Sequence, residues 1–95
     1  MHVLALEMVL RLPDARTLKD RRQVVRSLVE APRRRFEVAA AELDEASEPK
    51  HAVVGFCAIS NSPSVVRERL GSVEDFVWSR EGVEVLDTRW SWLES

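Results

Sequence analysis

"LALEMVLRLPDARTLKD", residues Leu4 to Asp20, changes its hydrophobic period partway along. Up to Leu12 the period is two. Leu4, Leu6, Met8, Leu10 and Leu12 fall on one side, and Ala5, Glu7, Val9 and Arg11 on the other. That alternation predicts a strand with one buried face. Pro13 and Asp14 interrupt it, and Thr17 followed by Asp20 has the spacing of a capping box, with Asp in place of the usual Glu or Gln. A helix is predicted from Leu18 to about Glu30 or Ala31. At 100° per residue, Leu18, Val25, Leu28 and Val29 share a stripe, with Val24 at its edge. Pro32 is expected to end or kink the last turn, because it donates no amide proton and its ring clashes backwards. Arg33, Arg34 and Arg35 would then form a basic corner just beyond the helix.

Outward from this βα unit, "FEVAAAELD" (36–44) alternates Phe36, Val38 and Ala40 against Glu37, Ala39, Ala41 and Leu43, and reads as a second strand. "EASEPK" (45–50) is a polar connection of hairpin length. "HAVVGFCAIS" (51–60) is apolar on both faces, as a central strand is. "NSPSVV" (61–66) opens a second helix, with Ser62 as N-cap and Pro63 at the first helical position. Val65, Val66, Leu70, Val73, Phe76 and Val77 give it an apolar face, Gly82 marks its end, and "VEVLDTRWSWL" (83–93) is the last strand. The order β-α-β-β-α-β predicts an α+β, ferredoxin-like sandwich, in which a four-stranded antiparallel sheet carries two helices on one face. One domain is expected over residues 1–95, a length at which roughly 65% of the unfolded chain's surface can be buried.

Composition narrows the class. A hydrophobic fraction of 45% argues against intrinsic disorder. No apolar run is long enough to span a bilayer, and "MHVLALEMVLRL" lacks the basic start and small-residue cleavage site of a signal peptide. One cysteine allows neither an internal disulfide nor a thiolate metal cluster, which fits a reducing compartment. A cytoplasmic location without membrane contact is expected. The net charge of −2 conceals a division: Asp14 to Arg35 holds eight Arg or Lys against three acids, so the remaining chain is acidic. The chain can therefore present a basic patch but not a basic coat.

The segment "LPDARTLKDRRQVVRSL" (12–28), followed by a basic turn into "FEVAAAEL", resembles the bacterial domain-of-unknown-function 503 family, the YlxP-like proteins. The resemblance rests on Leu12, Pro13, Ala15, Arg16, Thr17, Leu18, Lys19, Asp20, Arg21, Arg22, Val25, Leu28, Arg35, Phe36 and Val38. "AISNS" (58–62) is similar to the family's Ser-Asn-Asp start of the second helix. Members usually continue the helix that Pro32 interrupts, and often carry a longer, tryptophan-containing loop where this chain has "DEASEPKH". The resemblance implies a ferredoxin-like fold and no established activity. It also implies a gene neighbourhood shared with a translation initiation factor and a ribosome-binding factor, and so a translation context by association.

Two surfaces invite a function. Lys19, Arg22 and Arg26 lie within about 60° on one flank of the first helix, with Arg16 at its start. They could straddle a phosphate backbone, joined by Arg33, Arg34 and Arg35. They could equally be solvated side chains bordering a buried stripe. Arg21 falls on the opposite flank and is assigned to packing or an ion pair. RNA-recognition motifs share this topology but stack bases on aromatics of the central strands. The first strand has no aromatic residue and the third has only Phe56, so that mode of base readout is not expected.

The second surface is "RWSWL", whose Trp90 and Trp92 project from one strand face. They suit a stacking platform or, more commonly, a core edge or subunit interface. With Val9 and Phe56 they are candidates for the interface of a homodimer that covers the sheet face without helices. Trp78 sits off its helix's apolar stripe, and its exposure is left open. His51 and Cys57 share a strand face but lie about 20 Å apart, too far for a base and a nucleophile. Cys57 is expected in the core. Asp44, Glu45 and Glu48 form an acidic hairpin tip, read as solvated, with a weak divalent-ion site as the alternative. No catalytic residues, cofactor or metal are assigned, and the protein is expected not to be an enzyme. The reading placed first is an RNA- or ribosome-associated factor acting through the first helix. The expected partners are ribosomal RNA or a ribosome-associated protein. The alternative is a homodimeric interaction module using the open sheet face and the C-terminal tryptophans.

Overall fold

In the computed structural model, which describes residues 1–44 and 47–95, six elements follow the predicted order. They are β1 (His2–Arg11), α1 (Leu18–Phe36), β2 (Ala39–Glu42), β3 (His51–Ser60), α2 (Pro63–Trp78) and β4 (Glu84–Glu94). The strands form one antiparallel sheet in the order β2-β3-β1-β4. This is the ferredoxin-like α+β arrangement. Among the described residues, no helix is long and apolar enough to cross a membrane.

Alternation in β1 sets the layers. Leu4, Leu6, Met8 and Leu10 are buried beneath the helices, while Ala5, Glu7 and Val9 face the other way and are half-buried. β3 is paired with β1 over its whole length and inherits the same division. Leu6 lies opposite Phe56 and Ala5 opposite Cys57. Phe56 is therefore in the core, 2% exposed, and not at an interface. Cys57 is on the open face, half-buried, and not in the core. Both corrections have one cause: β3 is apolar on both faces, so its own pattern cannot choose a side, and its register with β1 does.

The helices are joined to this sheet by Val25, Leu28 and Val29 of α1 and Val66, Leu70, Val73 and Val77 of α2, all buried. Leu18, predicted on the buried stripe, is 43% exposed, because at the first turn the place facing the protein belongs to Arg21. α1 does not stop at Pro32 but runs on to Phe36. A proline costs the helix one amide bond, and here its ring falls on the buried stripe, where it is covered by the core. Phe36 extends the helix by packing edge-on to Phe76 of α2, with ring centroids 6.3 Å apart. The chain then turns at Glu37 in the left-handed region (φ 54°), and β2 starts at Ala39 instead of Phe36. Ser62 and Pro63 open α2 as expected, although the Ser62 side chain makes no capping bond. Trp78, at the C-terminal end of α2, is 59% exposed.

Candidate functional site

The start of α1 is fixed by the capping box read from the sequence. Asp20 N–H donates to Thr17 Oγ1 at 3.1 Å, and Asp20 Oδ2 accepts from the N–H groups of Arg16 (3.0 Å) and Thr17 (3.2 Å). These bonds, the Arg16 amide first, hold the Asp20 carboxyl below its ordinary pKa. They also anchor the backbone of Arg16 at the head of the helix.

Continuation through Pro32 changes the basic surface. Arg33, Arg34 and Arg35 form the last turn of α1, not a corner beyond it. Helical geometry then separates them. Arg33 falls within the same sector of about 60° as Lys19, Arg22 and Arg26, so four cations make a stripe about 21 Å long from Lys19 to Arg33. All four are exposed, and none is in a salt bridge among the described residues. Arg34 points about 100° away from Arg33. Arg35 is on the opposite flank, with its guanidinium 5.1 Å from the Phe36 ring centroid and 5.5 Å from that of Phe76.

The stripe borders a groove of about 480 Å³ between α1 and β2. Arg22, Arg26 and Arg33 stand along it, Val25, Val29 and Ala41 line it, and Glu30 and Glu42 contribute carboxylates. Arg33 also donates to the Ala40 carbonyl oxygen, tying the far end of the stripe to the sheet.

Arg21 lies beneath the stripe, 1% exposed. Its Nε donates to the His51 carbonyl (2.9 Å), Nη1 donates to both Glu42 oxygens (3.0 Å each), and Nη2 donates to Asp44 Oδ1 (3.1 Å). Asp44 also accepts from Val53 N–H at 2.9 Å and lies 3.3 Å from His51 Nδ1. Of the two roles expected for Arg21, packing or an ion pair, this is the ion pair, and its single positive charge offsets one of the two carboxylates. Asp44 is thereby a clamp on α1, not a free member of an acidic tip. Glu45 lies outside the described residues.

Trp90 and Trp92 lie opposite Leu6 and Leu4, and so on the helix-bearing side of the sheet. The two residues are 40% and 38% exposed. With Leu4 and Arg67 they line a cleft of about 360 Å³. The Arg67 guanidinium stands 5.3 Å from the Trp92 ring centroid, and His2 meets that ring edge-on at 6.4 Å. Val9 is on the other face, with Ala5, Val53 and Cys57. The four interface candidates are thus dispersed. Phe56 is buried, Val9 faces one way, and the tryptophans face the other. They do not form one surface.

Sequence reasoning named Arg33 but set it in a corner with Arg34 and Arg35, and it missed Arg67. The helical place of Arg33 was legible: its spacing from Lys19, Arg22 and Arg26 is helical once the period is carried through Pro32. Arg67 left no signal, because only the packing of α2 against β1 brings it to Trp92.

The class defined by this architecture is that of small ferredoxin-like α+β proteins, with a basic helix flank and an aromatic outer strand as its surface features. The family model described as "Protein of unknown function (DUF503)" matches residues 3–90, and the chain belongs to that family. A search of curated proteins finds no match.

Proposed function

We propose that this protein is a non-enzymatic, cytoplasmic RNA-binding factor that grips a phosphate backbone along α1, with ribosomal RNA as its target. The observation that carries this reading is the alignment of Lys19, Arg22, Arg26 and Arg33, four exposed cations on one rigid helix beside an open groove. A row of fixed cations meets a row of phosphates without needing base contacts. The pairing of Arg21 with Glu42 and Asp44 supports the same reading, because it offsets one of these two nearby negative charges. Arg16 extends the stripe at its N-terminal end, whereas Arg34 and Arg35 point elsewhere. The ribosomal target follows from the gene neighbourhood that the family resemblance implies.

A salt titration of binding to total ribosomal RNA tests it. Four phosphate contacts predict a log–log slope near −3, at roughly −0.7 per contact on a single strand. Arg22→Glu/Arg26→Glu should abolish binding without lowering the melting temperature. A folded wild type that does not bind at low salt, or a double variant that binds as well as wild type, would overturn the proposal.

A further inference from the structure

β4 is an outer strand of eleven residues, and among the described residues no strand lies beside its far edge. Leu86, Trp90, Trp92 and Leu93 are all exposed along it. An apolar edge of this kind is a template for pairing with another chain, and proteins usually blunt it. Register shifts at Leu86 and Leu93 bound a regular stretch of β4 from Asp87 to Trp92, and that stretch is the template. The opposite edge is blunted: β2 has four residues, and Arg33 occupies the Ala40 carbonyl. Between Val85 and Leu93 the only charges on β4 are Asp87 and Arg89. Asp87 lies opposite Val9 and Arg89 opposite Glu7, so both are on the open face.

We propose that β4 pairs antiparallel with β4 of a second copy about a two-fold axis through Thr88, normal to the sheet. Paired residues in a ladder share a face, so a symmetric pairing must be centred on a residue. Centring on Thr88 sets Asp87 of each copy opposite Arg89 of the other, within the regular stretch of the strand. Centring on Asp87 or on Arg89 would set a like charge against itself, which is unfavourable in a cross-strand pair. Centring on Trp90 would leave Arg89 opposite Ser91 and Asp87 opposite Leu93, with neither charge answered. The Thr88 register therefore uses both charges and brings Trp90 of each copy beside the bulge at the other's Leu86. The two sheets become one of eight strands, with all four helices on one side. The stripe on α1 lies toward the other edge of each sheet and is left clear, so this pairing is independent of the RNA reading.

Sedimentation equilibrium over a dilution series, with wild type beside Asp87→Arg, Arg89→Asp and the double exchange, tests the register. Wild type is expected to form a dimer. Each single variant turns two contacts like-charged and should raise the dissociation constant on the order of tenfold. The double exchange should retain the dimer. An equimolar mixture of the two single variants should restore it, because the acids of one then face the arginines of the other. Arg89 faces Glu7 within its own chain, so Asp87→Arg carries the test if Arg89→Asp lowers the melting temperature. Three results would overturn the proposal: a wild type that stays monomeric at high concentration, a dimer indifferent to Asp87→Arg, or a mixture that fails to recover.

Discussion

Arg21 and Arg22 are neighbours of identical chemistry, and replacing each with methionine should have opposite consequences. Arg21 holds Glu42 through both carboxylate oxygens, Asp44 through one, and the carbonyl of His51. Removing one partner from a buried ion pair costs about 3–5 kcal/mol, since the other charge is left uncompensated. Here the carboxylate side chains are 28% and 23% exposed and can recover some water, which brings the expected loss to about 2–3 kcal/mol. For a domain of this size that lowers the melting temperature by about 10–20 °C. Methionine keeps most of the apolar stem, so the loss reports the guanidinium more than its packing. Arg22 is exposed and in no salt bridge among the described residues, so Arg22→Met should leave stability within about 0.5 kcal/mol. The ribosomal RNA titration reverses the order. Arg22→Met should make the salt slope shallower by about 0.7, and Arg21→Met should leave it unchanged below its lower melting point. Urea unfolding and the salt titration, run on the same preparations, decide it. An Arg21→Met protein as stable as wild type, or one with a shallower slope while folded, would refute the assignment of the two arginines to separate tasks.

Four further outcomes follow from the same geometry. Arg33→Glu should weaken RNA binding as Arg22→Glu does, whereas Arg35→Glu, on the other flank against Phe36 and Phe76, should weaken it several-fold less in a filter-binding comparison. Thr17→Ala removes the hydroxyl that caps Asp20 N–H and should cost about 1 kcal/mol in urea unfolding. Because the Asp20 pKa is lowered on folding, its carboxylate stabilises α1 fully above the unfolded value of about 3.9 and loses that effect as pH falls through the lower folded value; Asp20→Ala should remove this part of the acid sensitivity in a circular-dichroism titration. Leu6→Ala, in the middle of the core face of β1, should cost about 3 kcal/mol by the same unfolding assay.

The sequence by itself determined what depends on local period and local bonding. Leu4 to Leu12 alternate because one face of a strand must be apolar, and Thr17 and Asp20 bond across a single helical turn, so strand, cap and helix start were all legible. Strand order followed from short connections and the handedness of crossovers. The basic flank of α1 was legible too, as far as Pro32.

Tertiary structure decided the rest, wherever one residue pattern admits two outcomes. Pro32 could end a helix or sit within one; burial of its ring and the contact of Phe36 with Phe76 chose the second, and thereby added Arg33 to the stripe. Phe56 and Cys57 lie on a strand apolar on both sides, and only the register with Leu6 and Ala5 sends one to the core and the other to the open face. The two tryptophans alternate correctly along β4, but their face is set by pairing with Leu4 and Leu6. A strand's own period fixes which residues travel together, and a neighbour's register fixes which side they take.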